Sequence, residues 1–407
     1  MNRAEFAKIL GGEPHLDHQP RVVSGTSSDD WSRSFVQAAA GQGPVFLANP
    51  EWGSREQEQF AALCQERPGN WDAEVGWLMV PTGGSSGQMK LARHDQVTLM
   101  AAIRGAAQHF GISCFHSVGA LPRYHVGGLM AWLRCKLTGG TYLEASWRRI
   151  SEGGFPNVPD QSATVSLVPT QLSRLRQIDG GTEWLKRFEV VLVGGAALDR
   201  STGSWARQEG IRLSPCYGAT ETAAMAAALR PDEFLAGATR VGRVLPHMAA
   251  EAGPSGELQW TGKSLFRGYW PEEREPAAAW SSGDLGEISE LGELTIRCRA
   301  DGLINTGGEK VNPVEVELVL AELLADRRIK VMGIPHEKWG ECVIVAHAPD
   351  LEVALPELWE KAADRLAKFK WPKQAVAVSP WPVNAMGKLN SRRVAESVRE
   401  TLGGRRS

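Results

Sequence analysis

What this 407-residue chain lacks narrows its chemistry before any motif is read. It lacks an excess of either charge: 45 basic side chains against 47 acidic ones leave a formal net charge of -2. A protein so balanced offers no electrostatic footprint for nucleic acid or an anionic membrane surface, and a small-molecule partner is expected. It also lacks paired cysteines. The six thiols, Cys64, Cys114, Cys135, Cys216, Cys298 and Cys342, lie 21 or more positions apart, which excludes a C-x-x-C zinc or redox pair and makes a disulfide framework unexpected at this size. Reduced, mostly buried thiols are the expectation. Nowhere do about 18 apolar residues follow one another, and the opening MNRAEFAKILGGEP has no apolar run long enough for a signal peptide. A cytoplasmic protein without a membrane anchor fits. Oligomeric state is not legible.

What is present is ordinary for a globular protein, 43% hydrophobic and 23% charged, in a chain longer than one core usually fills, so a large and a smaller domain are expected. The apolar run Trp77-Leu78-Met79-Val80 reads as a buried strand feeding the loop PTGGSSGQMK. Behind it Val97, Met100, Ile103, Ala107 and Phe110 recur at helical spacing, giving strand, glycine loop and helix in that order. The alternation repeats in ATVSLVPTQL, a strand running to Pro169 before a helix begun by Leu172, Leu175 and Ile178, and in the strand FEVVLVGGAAL. From about Gly256 the texture changes to short β-like pieces, GELQWTG, SGDLGEI and GELTIRC. Beyond Asp301 come a helix opened near Pro313, a strand at 341–348, a helix over 355–370 and a strand at 374–379. The expected fold is α/β: a large N-terminal domain over 1–300 and a small α+β domain over 301–407.

Five stretches carry chemistry. Thr82, Gly83, Gly84, Ser85, Ser86 and Gly87 combine glycines that let backbone N–H groups approach phosphate oxygens with hydroxyls that bond them, and Lys90 adds a cation. Gln88 and Met89 break any Walker A pattern, and taken alone the stretch reads equally as a flexible turn. CYGATET places Tyr217, Gly218, Thr220 and Glu221 together, an aromatic for a base and a carboxylate for Mg²⁺. Asp284 in SSGDLGEI suits two ribose hydroxyls, and Arg299 in RCRADGLINTGGEKVNP suits ribose or phosphate oxygens. Lys388 stands on the glycine-flexed NAMGKLN.

These five, in this order, resemble the adenylate-forming superfamily of acyl-CoA synthetases, adenylation domains and luciferases, over about 77–393. Within it YHVGGL, SLVPTQL and VLVGGAAL look like the 2-succinylbenzoate–CoA ligases of menaquinone and phylloquinone synthesis. The resemblance implies two half-reactions: a carboxylate attacks the α-phosphorus of Mg·ATP and expels pyrophosphate, then the thiol of coenzyme A takes the acyl group and releases AMP. Lys388 would be the catalytic cation; at about 4 Å from the reacting anions it would gain roughly 4 kcal/mol at an effective dielectric of about 20, on the order of three powers of ten in rate. The phosphate loop and Glu221 would hold the β- and γ-phosphates with Mg²⁺, Gly194, Gly195 and Ala196 would line the adenine, and Asp284 and Arg299 would hold the ribose. The small domain, hinged at Asp301, would rotate between steps and present Gly307 to Val311 to the thioester-forming face.

The same resemblance puts His125 at the mouth of the acyl pocket and Ser166, Thr170, Gln171 and Gly195 beside the acid, although a lone histidine is commonly structural and SLVPTQL reads equally as a capped strand-to-helix turn. Three departures stand out: Gln88-Met89 replaces a pair that usually ends in proline, the segment ahead of the loop is short, which leaves one wall of the pocket to be found, and Asn312 stands where many members carry another residue. The rival readings are another aryl or acyl acid–CoA ligase, a freestanding adenylation enzyme, or a non-catalytic nucleotide-binding relative.

Overall fold

The structure, a computed structural model, describes residues 1–25, 28–67, 69, 71–82, 89–158, 163–275, 278–306, 309–336, 339–383 and 389–403. The chain divides into two compact units, one of Met1–Ala252, Gln259–Ser281 and Ile288–Thr295, the other of Gly253–Leu258, Ser282–Glu287 and Ile296–Ser407.

In the first unit the short N-terminal segment folds into a four-stranded sheet in the order Arg21–Val23, Val45–Leu47, Leu78–Thr82, Lys90–His94. The first three strands are parallel and the last antiparallel. Its core is aromatic: Phe6, Trp31, Phe35 and Trp77 are buried with Trp132 of the helix Val126–Thr138. Arg3 is buried with them, its guanidinium donating to the carbonyls of Ala38, Ala39, Gly43 and Ala73 and lying 4.4 Å over the Trp77 ring. Satisfying four of its five N–H donors in this way is what lets a guanidinium stay inside.

One expectation needs correcting here. The residues after the glycine loop do not enter a helix at once; Lys90–His94 is a strand that returns antiparallel on Leu78–Thr82. It carries buried Arg93 and His94, polar residues whose partners lie far along the chain, so its sequence lacks the apolar alternation by which a strand is read. The expected helix then follows as Gln96–Phe110, opened by the Asp95 side chain accepting from Val97 N and Thr98 N and closed at Gly111 with φ 68°.

The same unit contains a run of strands in the order Gly242–Val244, Ala224–Ala228, Leu213–Ala219, Val190–Val193, Ala163–Leu167, His116–Gly119, Tyr142–Glu144. From Leu213–Ala219 onward all neighbours are parallel, and the two strands before it are antiparallel. Val190–Val193 is buried at every position, as expected of a central parallel strand covered on both faces. The strand expected to run to Pro169 ends at Leu167, and Pro169 instead opens the helix Pro169–Leu175, where a missing N–H and a fixed φ suit the first turn.

The second unit holds a sheet in the order Glu309–Val311, Ile304–Thr306, Gly340–His347, Ile329–His336, with Gln374–Ala377 parallel to Gly340–His347. Ile304, Val316, Leu320, Val331, Val345 and Leu358 form its core. The helix expected over 355–370 stops at Ala362, and Lys368–Lys370 forms a separate 3₁₀ turn. Leu366 turns into the core and Lys370 Nζ pairs with Glu315 at 2.6 Å, tertiary contacts that override local propensity. All six cysteines are free, but only Cys135, Cys298 and Cys342 are buried and the other three are half-buried.

Candidate active site

Parallel strands deliver their carboxyl ends to one edge, the usual place for a ligand in an open α/β sheet. Four of the strands end in residues singled out above. His125 follows His116–Gly119; Ser166 and Thr170 flank the end of Ala163–Leu167; Gly194 to Ala196 follow Val190–Val193; Tyr217 to Glu221 close Leu213–Ala219. The parallel register of Val193 with Pro215 sets the glycine turn beside Cys216 and Tyr217.

Glu221 is the centre of this edge. It is buried, and its Oε1 accepts from Tyr269 OH at 2.7 Å and from Thr82 Oγ1 at 3.2 Å. Among the described residues no hydrogen bond or ion pair reaches its Oε2. The turn carrying it is fixed from several sides. His94 Nε2 donates to Thr220 O at 2.8 Å, Ser264 Oγ donates to Thr222 O at 3.0 Å, and Phe266 N donates to Glu221 O at 2.8 Å. Gly218 is required there, because a Cβ at this position would meet Ala224 O at 1.5 Å. Burial pushes the His94 imidazole down to about 4, so at neutral pH it is an uncharged donor to the turn.

Lys90 lies with its Nζ 4.9 Å over the Tyr269 ring. Thr82, Lys90, Glu221 and Tyr269 thus form one connected group. No cluster of three or more His, Cys, Asp or Glu side chains able to hold a metal occurs among the described residues. The donor set fits a divalent cation bound by one carboxylate oxygen and completed by phosphate oxygens and water.

Tyr217 stacks on the buried Trp260, ring centroids 5.4 Å apart and planes 19° from parallel, which fixes one ring as a platform for a planar base. Gly194 packs so closely on Cys216 that a Cβ would come within 2.9 Å of its Sγ, and Gly195 has φ +82°. Backbone rather than side chain therefore faces whatever lies above that turn.

On the acyl side, the rings of His125 and Tyr124 are 4.8 Å apart, and His125 stands immediately before the helix Val126–Thr138 without a side-chain capping bond. The Tyr124 phenol is raised to about 12 by burial and by its hydrogen bond to Glu51, a residue of the short N-terminal segment. Ser166 is half-buried and Thr170 exposed. Gln171 is buried and its Oε1 accepts from Val168 N at 3.1 Å, a helix-start bond within the turn, while its Nε2 has no partner among the described residues. The capped-turn reading of SLVPTQL thus describes half of that side chain.

In the second unit Arg299 Nη1 lies 3.5 Å from Asp284 Oδ1 and donates to Ser282 O at 3.1 Å. Gly283, at φ +70°, admits the guanidinium where a Cβ would meet Nη2 at 2.9 Å. Gly83, Gly84, Ser85, Ser86, Gly87 and Lys388 lie outside the described residues, as does the side chain of Asp301.

Sequence reasoning missed Tyr269, Trp260, His94 and Arg134. Tyr269, Trp260 and His94 each sit far along the chain from the residue they support; Tyr269 is 48 positions beyond Glu221. Arg134 is the most telling. It is buried in the helix Val126–Thr138 beside Cys135 and Cys216, 5.8 Å from the Phe115 ring, and no carboxylate pairs with it among the described residues. Its Nε has no hydrogen-bond partner there, and burial lowers its pKa.

A parallel sheet whose carboxyl edge gathers an aromatic platform, a glycine turn and an oriented carboxylate defines a nucleotide-binding α/β protein. The family comparison is more specific: residues 20–270 match the AMP-binding enzyme family, and the chain belongs to it. A 2-succinylbenzoate–CoA ligase of Listeria innocua is 30% identical over 349 residues, 82% of this chain and 72% of that one. Its counterpart in Listeria monocytogenes serovar 1/2a is 28% identical over 288 residues, 68% of this chain and 60% of its own length. The chain thus spans 60 to 72% of these relatives. Among solved structures, o-succinylbenzoate CoA synthetase of Bacillus subtilis with its acyl-adenylate intermediate superposes with a TM-score of 0.74 at 20% identity, covering 95% of this chain and 90% of that one, which supports the α/β fold.

Proposed function

We propose that this chain is an ATP-dependent acid–CoA ligase that activates 2-succinylbenzoate as an acyl-adenylate and passes it to coenzyme A, as in menaquinone or phylloquinone synthesis, in the cytoplasm. The observation that carries the chemistry is Glu221, oriented through one oxygen by Thr82 and Tyr269, with no partner on the other among the described residues. Glu221 would hold Mg²⁺, which would supply charge neutralisation for the β- and γ-phosphates. Tyr217, stiffened by Trp260, lies against the adenine, with the Gly194 to Ala196 backbone along its edge. Asp284 accepts from the ribose hydroxyls while Arg299 steadies the carboxylate. Lys388, on the domain assigned to 301–407 with its hinge at Asp301, stabilises the negative charge shared by the attacking carboxylate and the α-phosphate. Pyrophosphate leaves with the electron pair of the broken P–O bond. In the second step the thiol sulfur forms the C–S bond and AMP leaves.

The acid is argued from the relatives: the similar chains of Listeria innocua and Listeria monocytogenes are 2-succinylbenzoate–CoA ligases. KM for 2-succinylbenzoate is therefore expected to lie well below KM for a monoacid such as benzoate. Equal values for both would remove the diacid assignment and favour another aryl acid.

A further inference from the structure

Glu221 can serve a cation only if its free oxygen is held in place and if the nearest lysine does not take that oxygen for itself. The residue that meets both conditions is Tyr269. Its hydroxyl and Thr82 Oγ1 converge on the same carboxylate oxygen, which fixes the plane of the carboxylate and leaves the other oxygen outward. Its ring carries Lys90 Nζ at 4.9 Å, and among the described residues Lys90 and Glu221 form no ion pair.

Tyr269 is itself held from both sides. Arg93 N donates to Gly268 O at 3.0 Å, Trp270 N donates to Leu91 O at 2.9 Å, and Trp270 Nε1 donates to Leu63 O at 2.8 Å. Gly268, at φ +124°, lies where a Cβ would come within 2.7 Å of Arg274 N and Glu272 O, so the backbone before the tyrosine has little freedom. Because a carboxylate oxygen can only accept, the Tyr269 hydroxyl is the donor in its bond to Glu221.

We propose that Tyr269 is a positioning residue for metal binding: its hydroxyl aims Glu221, and its ring keeps Lys90 off the carboxylate and available for phosphate. This rests on the reading that Glu221 holds Mg²⁺. It assigns two functions to one side chain, and the two separate by substitution. Tyr269→Phe removes the hydroxyl and keeps the ring; Tyr269→Leu removes both and frees Lys90 to close on Glu221.

The test is a titration of Mn²⁺ into the protein with a non-hydrolysable ATP analogue, followed by the loss of free-ion EPR signal, beside calorimetric binding of AMP without metal. Tyr269→Phe is expected to weaken Mn²⁺ binding by about 10- to 100-fold, the size of one lost hydrogen bond to a charged acceptor, with metal-free AMP binding unchanged. Tyr269→Leu is expected to weaken it further. Glu221→Gln is the reference. If it weakens Mn²⁺ binding while Tyr269→Phe does not, the positioning role is overturned and the metal assignment stands; if Glu221→Gln itself has no effect, the metal assignment falls. Equal loss of metal-free AMP binding in Tyr269→Phe would mean a merely structural tyrosine, and identical Phe and Leu variants would remove the role assigned to the ring.

Discussion

Thr82 and Lys90 pair directly across two antiparallel strands, and both ends of that pairing meet one carboxylate–tyrosine unit. Thr82 donates to Glu221, Lys90 lies over Tyr269, and Tyr269 donates to Glu221. A strand pairing, a sheet edge and a distant aromatic are thereby tied into one rigid site. Such a site loses little entropy when a nucleotide arrives, because its polar groups are already oriented.

Removing the carboxylate is the sharpest chemical test of that arrangement. Glu221→Gln keeps the shape and the acceptor for Tyr269 but loses the charge. ATP–pyrophosphate exchange at saturating acid is expected to fall by about 10²-fold or more, while folding, followed by circular dichroism, stays as it is.

Asp284 and Arg299, 3.5 Å apart in the second unit, give a prediction about the sugar. Asp284→Ala is expected to weaken ATP binding by about 10- to 100-fold, the size of a charge-assisted hydrogen bond. The loss should shrink when 3′-deoxy-ATP is the ligand. Isothermal titration with the two nucleotides reads the difference directly.

Stability has its own test at Asp95. This buried carboxylate caps the helix Gln96–Phe110, accepts from Gly76 N at 3.2 Å and pairs with Arg267 Nε at 2.6 Å. Asp95→Ala removes the cap and strands the guanidinium, and it is expected to cost about 3 kcal/mol or more. The urea midpoint of unfolding should drop accordingly.

Acid should also destabilise the fold in a defined window. Burial holds His94, His109 and His247 each down at about 4, against about 6.5 in the unfolded chain. Between those values the unfolded chain takes up protons that the folded one refuses. Stability is therefore full above about pH 6.5 and declines as pH falls toward about 4, by at most about 3 kcal/mol for each histidine. Urea unfolding at pH 7.5 and at pH 5 checks the sign, and His94→Gln should flatten the slope.

The amino-acid sequence made the α/β alternation, the carboxyl-edge turns and the Glu221 motif legible because each rests on local signals: an apolar run, a glycine pair, an aromatic beside a carboxylate. Lys90–His94 escaped because Arg93 and His94 are buried for partners at Gly76, Glu272 and Thr220, and no local pattern announces a polar residue that is satisfied from afar. Tyr269 and Arg134 escaped for the same reason. A tyrosine in FRGYW and an arginine amid an apolar helix acquire their roles only when the fold brings Glu221 to one and Cys216 near the other. The early end of the 355–370 helix likewise depends on Leu366 and Lys370 finding tertiary partners.

The most direct test of the whole account is ATP–pyrophosphate exchange by the purified protein with Mg²⁺ and, separately, 2-succinylbenzoate, benzoate, a cinnamate and a medium-chain fatty acid, with Lys388→Ala alongside. The account predicts exchange driven by 2-succinylbenzoate and lost in Lys388→Ala, followed by a thioester when coenzyme A is added. Exchange with none of these acids, despite measurable binding of ATP, would contradict it and point to a nucleotide-binding protein that does not catalyse acid activation.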